Sequence, residues 1–328
     1  MIYIPIILLM EPLLDPSNKR DWLLPIQHPE IWEYYRKHQA SFWVASEVSL
    51  KDDIPEWKKL SNDEKYYLKN VLAFFAASDF IVNENENKKK DEVTVVEYHF
   101  FLRDKMARED VHSESYAEML KTYIDDPTEQ DMLKNAIVNI PSVKKKAEWF
   151  RKYIVNGTFQ QRVVAGAIVE GIFFSSSFCA IYWFKKRGLL KGLCNFNELI
   201  AKDEGLHCLF ECMIYNKYIK YKLPEEEILE MFREAVDIEC EFCSASLPVS
   251  LIGMNADMMQ EYVKYVADYI LTELIGKKIY KIDNPFKWMD LISLKTKTDF
   301  FSSQVLNYAK QSNLTDPREN KIKIEEDY

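Results

Sequence analysis

Two Glu-x-x-His motifs constrain the fold of this chain more than any other sequence feature. They are Glu109–His112 and Glu204–His207, and each lies in a long stretch with helical periodicity. On an α-helix, residues three positions apart share one face, with about 5–6 Å between their Cβ atoms. Each motif can therefore present a carboxylate and an imidazole to one metal ion. One such pair occurs by chance in many helical proteins, but two pairs on separate helices indicate a shared metal site.

Two further carboxylates lie where a charge would be buried. Asp79 lies on the apolar face of a helix that is predicted to begin after the capping box Ser61–Glu64. Glu170 lies in an apolar run with no charged neighbour within seven residues on either side. An unpaired buried charge costs several kcal/mol, so each acid must be protonated, paired with a buried arginine, or bound to a metal ion.

The six residues together match one known arrangement. In dinuclear carboxylate bundles, two helices give one acid each and two helices give a Glu-x-x-His pair. Two divalent ions would cancel the four negative charges of Asp79, Glu109, Glu170 and Glu204. Hard oxygen ligands with some imidazole favour iron or manganese over zinc, which prefers thiolates or more histidine. The sequence therefore predicts a dinuclear metal site.

The composition favours an all-α fold around this site. The chain has 8 glycines in 328 residues, where average usage would give roughly 23. Few glycines favour long helices over many short strands with tight turns. Helical stretches are predicted at about 93–124, 159–187 and 195–219, and no alternating strand pattern of useful length is present. These features predict a ferritin-like helical bundle with the metal site in its core.

A tyrosine and three apolar residues extend the predicted site. Tyr116 lies one helical turn after His112, on the same face. Phe174 and Phe178 follow Glu170 by one and two turns, and Ile200 precedes Glu204 by one turn. They would form an apolar wall around a tyrosine that an oxygen-activating metal pair could oxidise. From spacing alone, Tyr116 is equally a core residue, and the metal site could store iron, oxidise a substrate or form a radical.

Charge and cysteine content limit the partners and the cellular compartment. The net charge is −9, and no basic block is interleaved with aromatic residues, so no nucleic-acid partner is predicted. The apolar stretch 1–9 is too short to cross a bilayer, and no membrane association is predicted. Six scattered cysteines indicate a reduced intracellular protein. The pair Cys240 and Cys243 is interpreted as core packing, because it has no second pair and no nearby histidine.

The chain as a whole resembles the small subunit of eukaryotic and viral class I ribonucleotide reductases, from about residue 17 to its end. The matching strings are Ala40–Trp43, Phe74–Asp79, Ile81–Asn85, His112–Tyr116, Val169–Ser175, Lys185–Leu189, Asn197–Ile200, Asp203–Cys208 and Leu251–Asn255. The resemblance implies three regions. They are an N-terminal extension at 1–16, predicted to be disordered, a ferritin-like di-iron domain at 17–310 and a flexible tail at 311–328.

The resemblance also implies a role for each site residue. Asp79, Glu109 and His112 would bind one iron ion, with Glu109 among the bridging carboxylates. Glu170, Glu204 and His207 would bind the other, and manganese is possible in place of iron. Tyr116 would carry the stable radical. Trp43 and Asp203 match the family's electron and proton relay, and Tyr308 matches the tyrosine that passes the radical onward.

The implied activity is ribonucleoside-diphosphate reduction, shared with a large subunit. The acidic end of the chain, Glu326, Asp327 and Tyr328, resembles the tail that docks to that subunit. A homodimer in the cytoplasm is expected from the same resemblance. Two alternatives stay open, namely a non-radical helper paralogue of this subunit and a ferritin-like di-metal oxidase.

Several positions depart from the family pattern. Phe80 replaces a usual glycine, and the charged segment 86–91 is one residue short. Lys202 stands where arginine is usual. Charged residues also replace apolar or aromatic ones before Glu109; they are Arg103, Asp104, Lys105 and Arg108. These changes leave the six ligands and Tyr116 in place, and they make the stability of the cluster the open point.

Overall fold

The computed structural model describes residues 10–247 and 253–289 of the chain. Within these ranges the chain forms twelve α-helices and no β-strand, which confirms the predicted all-α class. The helices are α1 Pro29–Ala40, α2 Ile54–Lys59, α3 Asn62–Glu92, α4 Val96–Tyr123, α5 Pro127–Lys134, α6 Ala136–Asn139, α7 Pro141–Asn156, α8 Phe159–Ile168, α9 Ser175–Lys186, α10 Lys191–Met213, α11 Glu225–Ser246 and α12 Ala256–Ile275.

The predicted capping box begins the longest helix. Ser61 accepts a hydrogen bond from the Glu64 backbone N–H at 3.2 Å, and the Glu64 carboxylate accepts one from the Ser61 N–H at 2.8 Å. Two N–H groups that have no partner within the helix are thereby satisfied. The 31 residues of α3 then follow without a break.

The centre of the bundle is formed by four helical segments, which are α3, α4, the run from α8 to α9, and α10. Helix α3 packs along α4, and α10 packs against both α8 and α9. Helix α1 lies along α4, while α11 packs against α7 and α12. This arrangement covers the central helices on several sides, so that polar residues on their facing sides are removed from water.

The apolar run around Glu170 is a helix with one irregular turn. Residues Val169–Phe173 between α8 and α9 are in π conformation. Such single π turns are rare and occur frequently at functional sites. The whole run, Phe159–Lys186, is long and apolar enough to cross a membrane, but 89% of its apolar window is buried inside the protein. That burial is typical of a core helix.

The residues before α1 are held on the surface of the bundle. Pro12–Leu14 and Pro16–Asn18 form two short 3-10 turns, and Leu13 is buried. The buried Glu11 carboxylate accepts hydrogen bonds from the backbone N–H groups of Lys220 and Tyr221. Residues 11 and 13 of the predicted extension thus contact the bundle, residues 1–9 lie outside the described ranges, and the predicted disorder of 1–16 stays a prediction.

The chain divides into two compact units, Met1–Pro285 and Phe286–Tyr328. The first contains all twelve helices. The second is described only at 286–289, where the Met289 N–H donates to the Phe286 carbonyl at 2.7 Å. Tyr308 and the predicted docking residues Glu326, Asp327 and Tyr328 lie outside the described residues.

Candidate metal centre

The structure brings the six predicted ligands together in the centre of the bundle. Asp79 comes from α3, one Glu-x-x-His pair from each of α4 and α10, and Glu170 from the π turn. Their ligand atoms form two groups, each within 4.8 Å, and all six side chains are buried. The groups are Glu109, Glu170, Glu204 and His207, and Asp79, Glu109 and His112.

Both histidines direct the same ring nitrogen into the cluster. His112 Nδ1 lies 3.2 Å from Glu109 Oε2 and 2.9 Å from Glu204 Oε1. His207 Nδ1 lies 3.1 Å from Glu109 Oε1 and 3.2 Å from Glu204 Oε2. Glu109 and Glu204 therefore each place one oxygen near each histidine. Two cations held in this cluster would share Glu109 and Glu204, and Asp79 and Glu170 would each serve one of them.

Unpartnered carboxylate oxygens show that the cluster fits cations. Among the described residues, Asp79 Oδ2 and Glu170 Oε2 are buried without a hydrogen-bond partner, and Glu109 Oε1 and Glu204 Oε1 lie close only to the histidine Nδ1 atoms. A buried polar atom without a partner is costly, and a buried anion more so. Four inward-facing oxygens beside two imidazole Nδ1 atoms are a donor set that hard divalent cations satisfy. The cluster is typical of a dinuclear metal site.

The electrostatics of the cluster agree with this interpretation. Burial and the nearby Glu109 carboxylate raise the pKa of Asp79 well above its usual range. Burial also raises the pKa of Glu170 to about 8, although the Lys105 ammonium and His207 oppose the shift. A raised pKa means that the ionised form of the carboxyl group is unfavourable unless a cation lies beside it. Without a cation nearby, these carboxyl groups therefore take up protons, and a bound cation would replace those protons.

Tyr116 lies beside the cluster in an apolar pocket. Its ring stacks on Phe75 with 4.8 Å between centroids and 5° between planes. The lining side chains leave no room for water; they are Phe75, Met119, Phe178, Ile181, Leu193, Asn197 and Ile200. Burial, followed by the Asp79 charge, raises the pKa of Tyr116 well above its usual range, so its phenol is neutral.

The predicted apolar wall occupies this region, with one difference in detail. Phe178 and Ile200 line the pocket beside Tyr116. Phe174 does not line the pocket and instead contacts two residues that do, Phe75 and Phe178, with ring centroids 5.8 and 5.9 Å apart. Helical spacing in the sequence could have identified Phe75 as a neighbour of the site, because it lies one turn before Asp79 on the same helix face.

Trp43 and Asp203, the two residues of the predicted relay, contact each other next to His112. Trp43 Nε1 donates to Asp203 Oδ2 at 2.7 Å, and the same oxygen lies 3.2 Å from His112 Nε2. The guanidinium of Arg108 adds a positive group 3.6 Å from that oxygen. Although burial alone raises the pKa of Asp203, the contacts with His112 and Arg108 lower it overall. An ionised Asp203 thus orients His112, as carboxylates commonly do behind metal-bound histidines.

A second chain of hydrogen bonds, which the sequence did not indicate, supports the other histidine. His207 Nε2 lies 2.9 Å from His38 Nε2, and His38 Nδ1 lies 2.6 Å from Asp104 Oδ2. Gln39 Nε2 donates to the other Asp104 oxygen at 2.5 Å. Both histidines of the centre are therefore held from behind through a carboxylate, directly for His112 and through His38 for His207.

A buried group of four charges lies next to Glu170 and was also missed. Lys105 Nζ donates to Glu170 Oε1 and to Glu86 Oε1, the latter at 2.9 Å. Lys89 pairs with Glu86 at 2.9 Å and with Glu211. These side chains are fully buried. The only indication in the sequence was the unusual charge of segments 86–91 and 103–108. The pairing itself was not predictable, because the partners come from three different helices.

The remaining departures supply no ligand atom to the cluster. Phe80 projects outward from α3 and is 64% exposed. Arg103 stacks over the ring of Phe100. Arg108 donates to the Ser41 carbonyl at 3.1 Å. Cys243 is buried and Cys240 partly buried, both as free thiols, and nothing in the structure assigns a role to Lys202.

Comparisons with known proteins agree on one family. The family described as "Ribonucleotide reductase, small chain" matches residues 20–285. The ribonucleoside-diphosphate reductase small chain of vaccinia virus (strain Copenhagen) is 49% identical, over 92% of this chain and 95% of its own length. Subunit M2 of the Homo sapiens enzyme is 46% identical, over 97% of this chain and 82% of its own length.

A solved structure shows the same fold. The homodimer of ribonucleotide reductase Rnr4 from Saccharomyces cerevisiae matches with a TM-score of 0.80 and 31% sequence identity. The match covers 91% of this chain and 93% of that one. The predicted ferritin-like bundle is confirmed by this similarity, together with the cluster in its core.

Proposed function

The chain belongs to the ribonucleotide reductase small-chain family, and we propose that it generates a tyrosyl radical on Tyr116 and passes it to a large subunit. The enzyme class is ribonucleoside-diphosphate reductase, as in its relatives from vaccinia virus and Homo sapiens. One observation supports the radical role above the others. A neutral tyrosine, in a pocket without room for water, lies close enough to Asp79 and Glu204 of the cluster for their charges to act on it.

Two iron ions are the proposed occupants, with manganese as the alternative. Asp79, Glu109 and His112 would hold one ion, and Glu170, Glu204 and His207 the other. Carboxylates with imidazole suit either metal. Bound iron would supply the reduction of O₂ and the oxidising power that a phenol requires.

The protein's own residues would protect and position the radical. Tyr116 is the group oxidised, and it loses one electron and one proton. Phe75, Phe178 and Ile200 exclude water and reductants from its ring. The Asp203 carboxylate joins Trp43 to His112 through short contacts, which gives a path for the oxidising equivalent away from the centre.

The later steps involve residues outside the described ranges. Tyr308 would continue the path toward the large subunit, and Glu326, Asp327 and Tyr328 would dock to it. A homodimer in the cytoplasm completes the proposal, supported by the homodimer of the Saccharomyces cerevisiae relative. A segment that orders on binding suits a docking tail.

Electron paramagnetic resonance after metal loading tests the proposal. Metal-free protein is loaded with ferrous iron without oxygen, and O₂ is then admitted. We expect a tyrosyl doublet in the wild type and none in Tyr116→Phe. Tyr98→Phe is the matched control, because it removes another fully buried phenol from the same helix and should keep the doublet.

Two outcomes would contradict the radical role. A doublet that persists in Tyr116→Phe would place the radical elsewhere. Full iron uptake without a doublet would favour the non-radical helper, a reading that the contact of Lys105 with Glu170 supports. A ferritin-like oxidase is the weaker alternative, because it gives no purpose to the link between Trp43 and Asp203.

A further inference from the structure

The contact between Lys105 and Glu170 makes the two halves of the metal centre unequal. Glu170 Oε1 accepts a hydrogen bond from the Lys105 ammonium, and Glu170 Oε2 is buried without a partner. At the opposite end, Asp79 Oδ1 is 3.2 Å from the hydroxyl of Ser78. No lysine or arginine forms an ion pair with Asp79 among the described residues. Glu170 is therefore hydrogen-bonded to a lysine ammonium, whereas Asp79 is hydrogen-bonded only to a neutral hydroxyl.

The charge balance shows that Lys105 belongs to a group that is already neutral. Glu86 and Glu211 supply two negative charges, and Lys89 and Lys105 supply two positive ones. All four side chains are fully buried. Lys105 is thus held in place by Glu86 and Glu211 whether or not Glu170 is bound to a metal, and it cannot move to solvent when one arrives.

Its position has two effects on Glu170. Because Oε1 is occupied by the ammonium, only Oε2 is free for a metal ion, so that Glu170 is limited to one ligand oxygen. The adjacent positive charge also weakens the attraction of Glu170 for a second cation, and this effect is large in a buried site of low dielectric constant.

We propose that Lys105 is a positioning residue that lowers the metal affinity of the half-site containing Glu170 and His207, so that this half-site fills after the one containing Asp79 and His112. The inference rests on the dinuclear site of the proposed function. It concerns the order and strength of metal binding.

A titration with Mn²⁺ tests this order. Binding is followed by calorimetry, and free Mn²⁺ is counted by its paramagnetic resonance signal. The wild type should bind two ions with unequal affinities. Lys105→Met should strengthen the weaker binding step by roughly tenfold or more, the usual scale for residues behind metal ligands, and leave the stronger step within about threefold. Lys105→Met combined with Glu86→Gln keeps the buried group neutral and should bind as Lys105→Met does.

Lys89→Met is the matched control. It removes the same charge from the same buried group, but Lys89 contacts Glu86 and Glu211 and not Glu170. The weaker step should change much less than in Lys105→Met. An equal change in both variants would show a general charge effect and overturn the positioning role, as would an unchanged weaker step in Lys105→Met. A wild type that binds neither Mn²⁺ nor, in the same titration under anaerobic conditions, ferrous iron would overturn the dinuclear site itself.

Discussion

At the scale of single residues, Glu109 and Glu204 define the centre. Each carboxylate has one oxygen near His112 and the other near His207, at 2.9–3.2 Å. Both acids come from Glu-x-x-His pairs, so the helix spacing that sets the motif also sets this geometry. The spacing of the two histidines across the cluster is therefore set by two side chains on two packed helices.

Glu97 shows how one carboxylate can fix a whole segment. Its Oε1 accepts hydrogen bonds from Arg20 and the Gln27 N–H, both at 2.6 Å, which fastens the chain before α1 to α4. Burial alone raises the pKa of Glu97, but these hydrogen bonds lower it overall. A lowered pKa stabilises the fold above the unfolded value of about 4.3. That stabilisation is lost as the pH falls through the folded value.

Glu97→Gln should therefore lower the free energy of unfolding at pH 7. The difference from the wild type should shrink as the pH falls below about 4.3, because Glu97 of the unfolded wild type then takes up a proton, and it should disappear once folded Glu97 is protonated too. Urea unfolding at about pH 7, 4 and 3 measures it. Glu114→Gln, an exposed acid on the same helix, is the control and should differ little at any pH. A Glu97→Gln difference that does not vary with pH would contradict this account.

Site residues were predictable where their placement depends on nearby residues in the sequence. The six ligands followed from helix spacing and from acids isolated in apolar sequence. Lys105 and His38 were not predictable, because their partners are distant in sequence. Lys105 contacts Glu170, 65 residues away, and His38 contacts His207, 169 residues away. Only packing brings such pairs together.

At the scale of elements, the π turn Val169–Phe173 is the feature that presents Glu170. Lys146 from α7 donates to the Phe173 carbonyl at 2.9 Å, at the end of that turn. Its ammonium also pairs with Glu239 on α11 at 2.5 Å and lies 3.6 Å from the ring centroid of Phe74. A buried lysine thus joins three elements around the turn.

Lys146→Met should destabilise the protein by about 3–5 kcal/mol, because Glu239 would remain buried without its cation. Burial already raises the pKa of Glu239 and lowers that of Lys146. The double variant Lys146→Met with Glu239→Gln removes the unpaired charge and should recover much of the loss. Denaturant unfolding provides the measurement. A single variant as stable as the wild type would show that the pair is energetically unimportant.

The helices themselves were largely predictable, but their irregularities were not. The predicted stretch 159–187 is observed as α8, the π turn and α9. The stretch 195–219 is observed as α10 and a second π segment, Ile214–Tyr218. A π turn adds one residue to a helix without a distinctive composition, so hydrophobic periodicity alone does not indicate it.

At the scale of the whole molecule, the bundle places all six ligands on helices rather than loops. A centre built on packed helices is held rigidly, which suits chemistry that depends on fixed distances. The family match and the similarity to solved relatives cover this unit. The predicted roles of Tyr308 and of the acidic terminus depend on residues beyond the described ranges, and they stay predictions.

Anomalous X-ray scattering at the iron absorption edge would locate the metal ions of a dinuclear centre. Crystals of protein loaded with saturating ferrous iron should show two peaks in the bundle core. One should lie among Asp79, Glu109 and His112, and the other among Glu170, Glu204 and His207. Under saturating iron, a core without any peak, or iron bound only elsewhere on the protein, would contradict a dinuclear centre.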